Sequence, residues 1–112
     1  MNKIFYVLLI IILSSCSWFG DEYILDLSTS TRFILQSNGS EFPSGYTLRA
    51  EGYSTADGVI ELMLNDTVYK AERVTGEVDF KWSGDWYSQD MKLVYRLQKS
   101  GKGTLKITYK ID

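Results

Sequence analysis

The densest grouping of chemically capable side chains is "WSGDWYSQD", residues 82–90. It sets Trp82, Trp86 and Tyr87 around Gly84, with Asp85 and Asp90 alongside. Aromatic faces stack on the apolar faces of sugar rings, and carboxylates accept hydrogen bonds from sugar hydroxyls, so this stretch is a candidate glycan site. Asp85 and Asp90 also offer oxygen ligands to Ca²⁺, but no D-x-D-x-D-G run accompanies them and no metal is assigned. For acid–base hydrolysis the available pairing is Asp85 with Glu77 or Asp90. The same residues also read as structure, with Trp82 and Trp86 plugging a corner of the core and Asp85 supplying turn chemistry. That structural reading carries more weight.

The chain contains no histidine. This excludes Ser-His-Asp and Cys-His catalysis, His-ligated metals and the usual general base near neutral pH. Carboxylates, lysine and tyrosine are what remain. No catalytic residue and no cofactor is assigned, and the expectation is a protein that is not an enzyme.

A second grouping is basic. Between Met91 and Asp112 there are six basic residues and one acidic residue. Period-two alternation places Lys92 and Arg96 on the same side as Lys106 and Lys110 if the two strands form a hairpin. Such a face would attract anionic lipid, lipopolysaccharide or an acidic protein. Read structurally, it is a solvated outer face partly neutralised by Glu77 and Asp79.

The one cysteine, Cys16, lies in "LSSCSW", residues 13–18. Before it, Ile4 to Leu13 is an unbroken apolar run of ten residues. A helix needs about 20 apolar residues to cross a bilayer, whereas a signal-peptide core uses about 7–15. Lys3 and the amino terminus supply the positive charge that precedes such a core. The tetrapeptide Leu13-Ser14-Ser15-Cys16 resembles the lipobox of bacterial lipoproteins, a likeness confined to residues 1–17. The resemblance implies diacylglycerol on the Cys16 thiol, cleavage just before it and acylation of the new amino terminus. Two or more chains give stable anchoring where one is marginal. Ser17 stands where an aspartate would retain a lipoprotein in the inner membrane. The resemblance therefore implies an outer-membrane anchor facing the periplasm in a Gram-negative host. Trp18 and Phe19, next along the tether, suit the membrane interface, where aromatics are enriched.

Residues 1–15 are then a signal peptide, 16–21 a lipidated tether and 22–112 one small domain. Loss of Lys3 leaves 11 basic residues against 14 acidic, a net charge of −3. A nucleic-acid partner would call for a basic domain, and none is expected. With Cys16 lipidated, no thiol is left for a disulfide, so the domain relies on its core. The eight tyrosines, three tryptophans and five phenylalanines of the chain suit that task.

Alternation of period two dominates, the pattern of half-buried strands. Strands are expected over residues 22–27, 31–36, 46–53, 59–64, 67–74, 76–82, 91–98 and 103–111. "SNGSEFPSG" (37–45) and "STADG" (54–58) read as turns. Asn65-Asp66 reads as a two-residue hairpin turn. Asn38-Gly39-Ser40 and Asn65-Asp66-Thr67 match glycosylation sequons but read as turns. Seven to eight short strands with frequent turns imply an all-β antiparallel sandwich or barrel. The function expected is a non-catalytic binding or structural module of the envelope, with an envelope protein or glycan as partner. The alternatives are a small inhibitor, immunity or phage-exclusion lipoprotein, and a glycan binder using residues 82–90.

Overall fold

The computed structural model describes residues 20–112. The expected signal peptide, the lipobox-like tetrapeptide with Cys16, and the expected tether at Trp18 and Phe19 lie outside the described residues. Six antiparallel strands form the domain: β1 (Asp21–Asp26), β2 (Thr31–Gln36), β3 (Gly45–Leu64), β4 (Thr67–Asp85), β5 (Asp90–Lys99) and β6 (Gly103–Ile111). The all-β antiparallel expectation matches this architecture. The strand count differs, six against seven or eight, and the difference has two sources.

Residues 54–58 are a bend inside β3, not a turn between strands. Between the pairs Ser54↔Gly76 and Gly58↔Val74, β3 carries two more residues than β4. The Ser54 hydroxyl accepts from the Ala56 amide at 3.0 Å and donates to the Ala56 carbonyl at 3.2 Å, satisfying the polar groups of the bend. On β4 the matching point is Gly76, at φ 64°, a conformation that glycine adopts without steric cost. The hairpin therefore bends as one unit and contributes to both halves of the fold.

The strand order is β1-β6-β3-β5-β2, with β4 along the other edge of β3. The first half of β3 pairs with β6, and its second half pairs with β5. The result is a curled sheet of two wings. The first wing holds β1, β6, the start of β3 and the end of β4. The second holds β2, β5, the end of β3 and the start of β4. Both wings turn their apolar faces inward. Leu25, Leu48, Ala50, Leu105 and Ile107 of the first meet Leu35, Ile60, Leu62, Leu93 and Tyr95 of the second in one core. At the free margins, Tyr23 of β1 stacks on Phe33 of β2, with ring centroids 4.6 Å apart.

Asn65 and Asp66 carry φ of 51° and 61°, the two left-handed residues of the tight hairpin turn expected there. β4 borders the sheet. Its Lys70 and Glu72 share the core-facing parity of Val74, and one extra residue at Tyr69 kinks it against β3. A half-buried lysine and a bulge both discourage another chain from extending the sheet.

Candidate binding surface

The outer face of the first wing forms a broad depression of about 790 Å³. Four strands supply it. Thr47, Arg49 and Glu51 come from β3, Lys106, Thr108 and Lys110 from β6, Asp79 and Lys81 from β4, and Glu22 from β1. Strand alternation dictates this. Leu48 and Ala50 are fully buried, so their neighbours in sequence must face solvent.

Register then decides which charges meet. Arg49 lies opposite Lys81 on one side and Thr108 on the other, while Glu51 lies opposite Asp79 and Lys106. Two of these pairs, Arg49↔Lys81 and Glu51↔Asp79, oppose like charges, which costs stability. Diagonal contacts relieve the acidic one. The Arg49 guanidinium donates to both Asp79 carboxylate oxygens at 3.3 Å and lies 3.5 Å from Glu51. The bond to Asp79 holds Arg49 above the usual guanidinium range. Lys106 pairs with Glu22 at 3.2 Å, and Lys110 with Asp112 at 3.4 Å. Among the described residues no acidic group comes within ion-pair distance of Lys81. Exposed ion pairs contribute about 0–1 kcal/mol each. A polar or charged partner can replace one member of such a pair at little cost.

The residues that the sequence singled out are dispersed. Trp82 and Trp86 are buried, at 7% and 5% exposure. Trp82 packs on Phe80 at 4.9 Å, and Trp86 meets the Tyr46 ring edge-on at 5.8 Å. The Trp86 indole N–H donates to the Asp90 carbonyl at 3.0 Å and closes the turn into β5. Neither indole presents a free face for a sugar, and only Tyr87, 77% exposed, does so from that stretch. Asp85 is exposed at the end of β4, and the Asp90 carboxylate accepts from Gln36 at 3.3 Å. Glu77 and Asp85 are eight residues apart on one strand, a separation on the order of 25 Å. They do not form an acid–base pair. Among the described residues no group of three or more Asp, Glu, His or Cys is arranged to hold a metal.

The basic face expected from a final hairpin is divided. β5 and β6 are not neighbours, because the loop between them crosses the bend of β3 and carries the chain from the second wing to the first. Thr55 anchors that crossing, accepting from the Lys102 amide at 2.9 Å and donating amide and hydroxyl to its carbonyl. Gly101 passes so close that a Cβ would lie 2.4 Å from the Ala56 nitrogen. Lys92 and Arg96 therefore face outward from the second wing, beside Asp66 and Glu61 respectively. Lys106 and Lys110 face outward from the first, inside the depression.

No protein-family model and no curated protein matches the sequence. Solved structures show likeness of fold. PirA matches with a TM-score of 0.57 at 11% identity, covering 79% of this chain and 92% of that one. The chain is also similar to Aeromonas hydrophila PliG, a periplasmic lysozyme inhibitor of g-type lysozyme. That match has a TM-score of 0.48 at 9% identity, covering 80% of this chain and 83% of that one. A carbohydrate-binding module, CBM36 in complex with calcium and xylotriose, matches with a TM-score of 0.42 at 8% identity, covering 83% and 91%.

Proposed function

We propose that this protein is a lipid-anchored, non-catalytic binding module of the bacterial envelope. In this reading Cys16 carries the lipid, the domain faces the periplasm from the outer membrane, and the depression on the first wing receives a protein partner. The observation that supports the partner face is the like-charged pair Arg49↔Lys81, with Lys81 left without an acidic partner among the described residues on a concave face. A partner carboxylate placed there would relieve a repulsion that the free domain bears. Five further charges of both signs around the pair favour a protein surface over a neutral glycan, since alternating sign fixes register between proteins. Burial of both tryptophans removes the main support for a glycan platform.

An inhibitor or immunity role is one form of the same reading, with the partner a toxin or hydrolase. Cross-linking in the native envelope, followed by recovery of the full-length protein, tests both. One partner recovered in stoichiometric amount, and lost with Lys81→Glu, is expected. Recovery that is indifferent to Lys81→Glu would refute the assignment of this face.

A further inference from the structure

We propose that the end of the domain carrying Gly20 is seated in the interfacial layer of a lipid bilayer, with Phe42 and Tyr87 inserted. This rests on the reading of Cys16 as a lipid anchor. Four segments converge at that end. The Asp112 amide donates to Gly45 at 3.0 Å, the Ser44 amide to Asp112 at 3.1 Å, and the Trp86 amide to Ser44 at 3.1 Å. The Ser37 amide joins the loop 37–44 to the loop 86–89 through Gln89 at 2.8 Å. Gly20 lies against the Tyr109 carbonyl, where a Cβ would clash at 2.2 Å, so the chain arrives at this same end. The Asn65–Asp66 turn joins the group, since Asp66 lies 3.8 Å from Lys92 near the start of β5.

Exposed apolar side chains are concentrated here. Eight large hydrophobic residues are exposed among the described residues; Phe42 and Tyr87 lie in these loops, and Leu64, Val68 and Tyr69 flank the Asn65–Asp66 turn at the end of β3 and the start of β4. Phe42 is 89% exposed and Tyr87 77%. A phenylalanine so open at a loop tip contributes nothing to the core. Cys16 precedes Gly20 by four residues, a reach of about 14 Å when fully extended. A lipid on Cys16 therefore holds this end against the headgroups, where aromatic rings partition favourably. Glu41, Asp66, Asp85, Asp90 and Asp112 accompany the aromatic residues, so the attraction is apolar and does not depend on anionic lipid. The depression on the first wing then opens sideways along the membrane, and the bend of β3 points away from it.

The test uses the full lipidated protein in phosphatidylcholine vesicles that contain brominated acyl chains. Single cysteines at Phe42→Cys, Tyr87→Cys and, at the far bend, Tyr53→Cys carry an environment-sensitive fluorophore. Labels at 42 and 87 are expected to shift to the blue and lose emission to bromine, while the label at 53 does neither. Mass spectrometry of the Cys16 peptide is read in parallel. A lipid on Cys16 with no more quenching at 42 and 87 than at 53 overturns the seating alone. A Cys16 without lipid overturns both readings.

Discussion

The Tyr95 hydroxyl donates to the Leu27 carbonyl across 2.9 Å, from the centre of β5 to the residue that follows β1. Both residues are fully buried, and the Tyr95 ring passes over Gly58, where a Cβ would lie 2.6 Å from Cε1. One side chain thus ties the two wings together beside the bend of β3. Tyr95→Phe keeps the ring but leaves a buried carbonyl without its donor, a loss of about 1–3 kcal/mol. In a domain of this size that lowers Tm by several degrees. Gly58→Ala is expected to destabilise further, because the ring and the Arg96 carbonyl both occupy the space. Chemical denaturation of the two variants checks this, and an unchanged midpoint for Tyr95→Phe would show that the bond contributes nothing.

Trp86 and Tyr87 are adjacent in sequence and differ in role. Trp86→Ala removes a buried indole and its bond to Asp90, and a loss of about 3–5 kcal/mol is expected. Tyr87→Ala leaves the melting temperature of the domain unchanged within error, because its exposed ring is no part of the core. Thermal unfolding followed by circular dichroism separates the two.

Stability should fall at both extremes of pH. The Arg73 guanidinium bonded to Asp57 holds that carboxyl below its ordinary 3.8, and the Ser28 amide does the same for Asp26. The unfolded chain takes up these protons first on acidification. The stabilisation is therefore present above about pH 4 and is lost as pH falls further. Burial raises the phenols of Tyr46, Tyr95 and Tyr109 above 10.0. The unfolded chain ionises first there, so stability declines as pH rises past 10. The Tm profile against pH tests both limbs, and Asp57→Asn should flatten the acid one.

Much of the fold was legible because side-chain alternation is a local property. β1, β2 and β6 follow their apolar pattern almost to the residue, and Asn65-Asp66 marked its turn by residue type. The bend at residues 54–58 was not legible as such. "STADG" has the composition of a turn, and only the crossing at Gly101 and the Ser54 bonds to Ala56 keep the strand continuous. That one difference also separated β5 from β6 and divided the expected basic face. The outer face of the first wing depends on register across four strands. Residues 47, 49 and 51 and residues 77, 79 and 81 each alternate visibly, but the extra residue at Tyr69 on β4 and the two extra residues of the bend on β3 together set which of them meet. Extending the Asn65-Asp66 hairpin in simple register would set Arg49 opposite Trp82, so the Arg49↔Lys81 pair depends on both irregularities and had no signal in the sequence.

The proposed lipid anchor has its own test. Cys16→Ser should leave the protein as an unprocessed precursor or release it from membranes, read by fractionation and by mass. A processed chain that stays on the membrane would contradict lipidation.

If the face around Lys81 binds a partner, Lys81→Glu is the variant that reports it. The new carboxylate would face Arg49 and replace a repulsion with an attraction, so stability holds or rises by about 0.2–1 kcal/mol. Binding of the purified full-length protein to its cross-linked partner should weaken at the same time, most at low salt. A variant that is at least as stable but no longer binds is the predicted result. A variant that binds as tightly as the parent across the salt range would show that this face takes no part in binding.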